Sequence, residues 1–442
     1  FDAAYNTNEN LLICAPTGAG KTNVAMMTVL QEVKQHVVDG RVEKDNFKIV
    51  YVAPMKALAA EMAASFAKRL GSLGLSVREL TGDMQLTKRE IQETQMIITT
   101  PEKWDVISRK SNDNSLVQIV KLLIIDEVHL LHEERGPVIE AIVARTIRQV
   151  ESSQRMIRLV GLSATLPNYK DVASFLRVNE ATGLHYFDAS YRPVPLKQTF
   201  VGVKEKNPFK RISVMNDLAF EKLSGVVRDG EQGMVFVHSR KDTVRTAEAL
   251  AELAKQNGEE DIFANNRDGE SQDEQQRGKR KAGVRSGDTQ WAWKEVSKSR
   301  NRDLKKLFPM GLGIHHAGML RSDRNLTEKL FSLGLIKILC CTATLAWGVN
   351  LPAHCVVIKG TRVYKAEAGG FVKLGMLDVM QIFGRAGRPQ FDTEGEAMIL
   401  TEHENLNHYL SLLSQQLPIE SQFNVHLADN LNAEIVLGTV TN

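Results

Sequence analysis

The sequence predicts an α/β protein with two parallel-sheet domains in series. Three observations predict it. Short apolar runs alternate with stretches of helical length, the ten runs are too many for one such sheet, and each half carries its own loop motifs directly after its runs. Alternating strand and helix calls for parallel strands covered on both faces.

In the first half the runs fall at 11–14, 49–53, 96–100, 122–126 and 159–162. In the second they fall at 234–238, 313–315, 338–341, 356–358 and 397–400. Between them, stretches such as 57–70 and 138–150 carry apolar residues at three- and four-residue spacing, the mark of a helix with one buried face. The two prolines of Tyr191-Arg192-Pro193-Val194-Pro195 favour extended backbone and fit a linker. The expected domains are therefore 1–190 and 191–405. From about 257 to 300 the chain is polar and mixed in charge, which reads as a surface insertion in the second domain. Trp291 and Trp293 mark where order resumes. At 361–374 the pattern is strand, Gly369-Gly370 turn, strand, a candidate hairpin.

With 442 residues and 43% hydrophobic content the chain can bury two cores. No apolar run approaches 18 residues, so no membrane-spanning helix is expected. The net charge of +3 neither demands nor excludes nucleic acid, because a local groove of charge suffices. Cys14, Cys340, Cys341 and Cys355 lie in apolar runs without a CxxC spacing. Neither zinc nor disulfides are expected, and a reducing compartment is the simplest reading. The chain opens on Phe1 without Met and reads as part of something larger.

The chemistry starts at Ala15-Pro16-Thr17-Gly18-Ala19-Gly20-Lys21-Thr22. Its glycines let backbone N–H groups close around the phosphates of ATP, and the following helix aims its positive end at them. Lys21 adds a mobile cation, and the Thr22 hydroxyl suits magnesium. Asp126-Glu127-Val128-His129 supplies the acids. Asp126 is expected to hold Mg2+ and Glu127 to polarise the attacking water, touching the metal through that water. His129 is expected to link this site to other motifs. In Gln381-Ile382-Phe383-Gly384-Arg385-Ala386-Gly387-Arg388, the two arginines read as the start of a helix. They are candidates for transition-state charge, a role worth about 10³–10⁵ in rate, which would make hydrolysis depend on closure of the two domains. Gln381 would orient water or the γ-phosphate. A third set follows strand ends: Pro54, Lys56, Thr81, Gly82, Thr100 and Pro101 in the first half, then Ser239, Arg240, His316, Thr342 and Thr344 in the second. Such loops suit phosphate contacts along a single strand without base readout.

These motifs resemble those of the Ski-like DExH-box helicases of superfamily two. The phosphate loop has that group's Ala where the general pattern begins with Gly. The runs 342–353 and 314–319 are close to diagnostic for it. Within the group the large tandem-cassette helicases fit best, of a spliceosomal or a transcription-cointegrator type. The residues at 55–62, 81–86, 128 and 429–434 favour the second type and its N-terminal cassette. The resemblance implies two RecA-like domains, the start of a winged helix at 406–442, and coupling of hydrolysis to strand movement by Ser163-Ala164-Thr165. It further implies 3′→5′ movement and a strand-splitting hairpin at 361–374. ATP and Mg2+ are the implied cofactors; RNA or DNA, cointegrator complex subunits and the ribosome are the implied partners. Ribosome quality control and alkylated-DNA repair, in nucleus and cytoplasm, are the implied settings. Two rivals remain: a nucleic-acid-stimulated ATPase without unwinding, and an inactive interaction platform.

Overall fold

The computed structural model describes residues 1–82, 86–109, 115–133, 135–265, 286–343, 345, 351–365, 369–389, 391–414, 418–436 and 440. The chain forms two compact units, Phe1–Arg192 with Gln416–Asn442, and Pro193–Gln415. The boundary falls inside the proline-bearing linker read from the sequence.

The first unit is built on Leu11–Cys14 (β1), Lys48–Val52 (β2), Val77–Leu80 (β3), Met96–Thr99 (β4), Val120–Ile125 (β5), Arg158–Ser163 (β6) and Leu184–Tyr186 (β7). Their order across the sheet is β3-β4-β2-β5-β6-β1-β7, and every pairing is parallel. Helices on both faces explain why β1, β2 and β4 are buried along their whole length. On one face Leu11, Ile13, Ile49, Tyr51, Leu122 and Ile124 pack with Phe66 and Val29.

The second unit holds Leu196–Val203 (β8), Gly233–Val237 (β9), Leu312–His315 (β10), Ile338–Thr342 (β11), Cys355–Lys359 (β12) and Gly395–Glu402 (β15), with Arg362–Lys365 (β13) and Gly370–Lys373 (β14) as a separate antiparallel pair. The sheet order is β8-β15-β12-β9-β11-β10, again parallel. All ten apolar runs are strands. The sequence reading missed β3, β7 and β8, which are half-buried over most of their length and lack a continuous apolar signature. The four cysteines are free and buried, and burial pushes the thiols of Cys14, Cys340 and Cys355 up to about 12. None of the described helices is long and apolar enough to cross a membrane.

Two expectations need correction. The stretch 257–300 is not surface insertion throughout. Its end is a helix, Ser286–Lys298, whose Ala292 and Val296 are buried in the second core. Trp291 and Trp293 pack against that core, with Trp293 edge-on to Phe308 at 5.1 Å. Polar residues on the helix's other face hid this from composition. Residues 266–285 lie outside the described residues. The segment 406–442, expected to begin a further domain, is divided between the two units. The helix His403–Ser414 belongs to the second unit, with Tyr409 fully buried and its hydroxyl donating to Leu374 O at 3.0 Å. The segment that follows belongs to the first unit, where Asn168 bonds both N–H and C=O of Ile419 at 2.9 Å.

Candidate active site

In the first unit the phosphate loop leaves the carboxyl end of β1. Gly18 and Gly20 adopt φ 86° and 96°, conformations that L side chains resist. At Gly20 a Cβ would meet nothing nearer than 3.9 Å, so backbone conformation, not space, demands glycine. The helix Lys21–Gln35 starts directly after Gly20 without a side-chain cap; Asn23 and Val24 N–H turn back to Gly20 O, which leaves the N–H groups of Lys21 and Thr22 to the loop mouth. Lys21 Nζ donates to Ala15 O at 2.8 Å and Pro16 O at 3.3 Å, so the loop's own carbonyls hold the ammonium at its mouth.

The acids leave β5, two strands from β1. Asp126 N–H donates to Val52 O at 3.0 Å, tying the turn to β2. The Asp126 carboxylate accepts from Tyr51 Oη at 2.6 Å and from Glu127 N–H at 3.0 Å. Burial, then the neighbouring Glu127 carboxylate, raises its pKa to about 7, against the Tyr51 hydrogen bond and Lys21, which pull it back. Glu127 sits at φ 52°, ψ 49°, a left-handed conformation that costs a non-glycine residue about 1–3 kcal/mol. The short 3₁₀ helix Val128–His132 begins there and turns His129 into the core. His129 is buried and burial lowers its pKa, so it stays neutral. Ala164 N–H donates to its Nδ1 at 3.2 Å, and Ser163 Oγ lies 3.5 Å away. That nitrogen is therefore unprotonated and cannot donate to Glu127 Oε2, 3.3 Å off. Glu127 Oε2 is left buried without a donor, as an oxygen meant to receive a water proton would be.

These residues fit magnesium. Asp126 and Thr22 offer hard oxygens, and Glu127 adds a carboxylate oxygen that no protein donor satisfies.

The strand-end loops cluster in each unit. The Lys56 ammonium lies 3.3 Å from where a Gly82 Cβ would stand. Arg135 donates to Pro54 O and pairs with Glu102 at 3.3 Å, joining loops 53–56 and 100–103. Thr81 and Thr100 are buried, and Thr81 donates to Glu79 at 2.7 Å. In the second unit Ser239 caps the helix Arg240–Gln256, and Arg240 lies 3.0 Å from a virtual Gly318 Cβ, beside His316. Thr342 ends β11. Thr344 and Asp83 lie outside the described residues.

Gln381 is on the last turn of the helix Met376–Phe383. Arg385 and Arg388 follow that helix and do not begin one. The left-handed turn at Gly387, φ 87°, packs against Val194, where any Cβ would come within 2.7 Å. Arg388 is committed within its unit. Its guanidinium bonds Asp392 at 2.8 and 3.0 Å and pairs with Glu231. Burial opposes ionisation of Asp392, but Arg388, with the His354 ring 3.4 Å away, outweighs it and holds the carboxyl well below its ordinary range. Arg388→Ala would take the guanidinium away from two largely buried carboxylates, Asp392 and Glu231. The expected loss is about 3–5 kcal/mol of second-unit stability, read as a lowered unfolding midpoint. An unchanged midpoint would mean that the network is not structural.

The hairpin is present, with Tyr364 opposite Phe371. Both rings are exposed, at 60% and 70%, and meet edge to face at 5.5 Å. Val363, on the other face, packs against the core, and Leu374 N–H to Thr361 O at 2.8 Å closes the base. Gly370 is strand, not turn; 366–368 lie outside the described residues.

Sequence reasoning did not find Tyr51, Glu231, His354 or Asp392. Tyr51 sits in an apolar strand where only its ring registers, and the other three are distant in sequence.

The family described as DEAD/DEAH box helicase matches residues 1–172, and the helicase conserved C-terminal domain matches 292–390. The chain is 63% identical along its whole length to the DExH-box ATP-dependent RNA helicase DExH14 of Arabidopsis thaliana, covering 20% of that protein. It is 63% identical to activating signal cointegrator 1 complex subunit 3 of Gallus gallus and 57% to that of Dictyostelium discoideum, covering 19% of each. The chain thus spans about a fifth of the length of these relatives.

Proposed function

The chain belongs to the DEAD/DEAH-box helicases, a family of ATP-hydrolysing motors, and from that premise we propose that it drives 3′→5′ movement along single-stranded RNA or DNA and parts duplexes. The observation that carries this reading is the meeting of phosphate loop and acid pair at the carboxyl edge of one sheet, with Lys21 close enough to act on Asp126. The carboxyl edge of a parallel sheet is where such folds bind ligands. The loop N–H groups and Lys21 hold the phosphates. Thr22 and Asp126 would hold magnesium, which when bound would supply positive charge at the phosphates. Glu127 orients water and takes its proton, and neutral His129, accepting from Ala164 N–H, ties the acid-bearing turn to the Ser163-Ala164-Thr165 segment. Arg385 is our candidate for guanidinium charge in phosphoryl transfer, whereas Arg388, held by Asp392 and Glu231, braces the turn that carries it. Contacts from the strand-end loops to backbone phosphates would give sequence-independent binding that weakens with salt. The relatives' names support RNA as a track and membership of a cointegrator complex. By the same resemblance we place its work in ribosome quality control and alkylated-DNA repair, in nucleus and cytoplasm.

The hairpin favours unwinding over translocation alone. Two exposed aromatic rings on a braced ribbon can stack on the last base pair and hold strands apart, at about 1–3 kcal/mol per stacked base. Replacing Tyr364 and Phe371 with Ala in the full-length protein should lower separation of a 3′-overhang duplex several-fold. Strand-stimulated ATP turnover should survive. Undiminished unwinding would remove the hairpin from the mechanism, and preference for a 5′ overhang would reverse the proposed direction.

A further inference from the structure

Tyr51 is a fully buried tyrosine in the middle of β2, and its hydroxyl has one recorded partner, the carboxylate of Asp126. The contact is 2.6 Å, the length of a phenol donating to a charged oxygen. The ring is fixed from behind by Phe66 at 5.6 Å. The backbone is fixed by pairing on both sides, Tyr51 opposite Ile98 in β4 and Ile124 in β5. Asp126 is held at its own N–H by Val52, the next residue of the same strand. One strand therefore grips the acid at both ends, by its backbone and by its carboxylate.

A buried phenol needs a partner, and any acceptor would satisfy it. Here it engages one oxygen of the acid that the proposed function assigns to magnesium. The other oxygen takes the Glu127 N–H at 3.0 Å. With both oxygens tethered, the carboxylate cannot rotate, and the remaining lone pairs keep one direction. The phenol also draws charge from the carboxylate, which would weaken metal binding, so the two effects oppose. A ligand held by a second layer of hydrogen bonds commonly loses about 10–100-fold in metal affinity when that layer is removed, so orientation outweighs charge withdrawal.

We propose that Tyr51 is a positioning residue that fixes Asp126 for Mg2+; this rests on the ATP–magnesium reading above. The test is binding of a fluorescent ATP analogue to the full-length protein, titrated with MgCl₂, for wild type and Tyr51→Phe. Phe keeps the ring packing and removes only the hydroxyl. The Mg2+ concentration for half-maximal enhancement should rise about tenfold, with metal-free nucleotide affinity unchanged. Metal-free affinity also reports that the variant is folded. In an Asp126→Asn background the same change should have no further effect. An unchanged or tightened Mg2+ dependence overturns the proposal, as does an equal shift in both backgrounds, which would mean that Tyr51 acts through packing. No Mg2+ dependence in wild type would overturn the ATP–magnesium reading itself.

Discussion

Glu127→Gln will cut ATP hydrolysis by about 10²–10⁴-fold while ATP binding stays close to wild type. The amide keeps the size of the carboxylate but can neither take a proton from water nor carry the charge that orients it. Binding survives because Lys21 and the loop N–H groups, not Glu127, hold the phosphates. The fold survives because the neighbouring His129 Nδ1 is already an acceptor, held by Ala164 N–H, and tolerates an amide beside it. Equilibrium binding and single-turnover hydrolysis on one preparation check both halves. Residual turnover within a few fold of wild type would refute the assignment.

Lys21→Ala will act earlier, on binding. A charge-assisted hydrogen bond is worth about 1.5–3 kcal/mol, so ATP affinity should fall about 10–100-fold, and hydrolysis with it. Stability should barely change, because the ammonium's protein partners are two loop carbonyls that water can reach once the side chain is gone. The contrast with Arg388→Ala is diagnostic. Arg388 is locked between two carboxylates, so its loss should unsettle the second unit, whereas loss of Lys21 should empty the nucleotide site of a folded protein. The same affinity for ATP in wild type and Lys21→Ala would remove Lys21 from the phosphate site.

Much of the fold can be read from the sequence because central strands of parallel sheets are buried on both faces. Their residues form continuous apolar runs, such as LLIC at 11–14 and IVYVA at 49–53. Edge and near-edge elements escape that signal. In β8 exposure stays intermediate along the strand, and the preceding prolines draw the eye to a linker. The helix at 286–298 escapes for the opposite reason, since the few residues it buries are diluted by charge. In the site, what the sequence carries is spacing along the chain: the phosphate loop, the acid pair and the arginines. Contacts between distant residues are silent in it. Neither the Tyr51 grip on Asp126 nor the carboxylates around Arg388 can be read from any window, and Thr81 and Thr100 have the right chemistry but lie buried.

The central claim is that these motifs form an ATP-driven motor on a nucleic-acid strand. ATP turnover by the full-length protein, followed as single-stranded RNA is added, tests it most directly when Glu127→Gln is measured in parallel. The account predicts turnover that rises with RNA to a plateau, weakens with added salt, and loses its RNA-stimulated part in the variant. Turnover indifferent to RNA and to single-stranded DNA, or stimulation retained in Glu127→Gln, would contradict it.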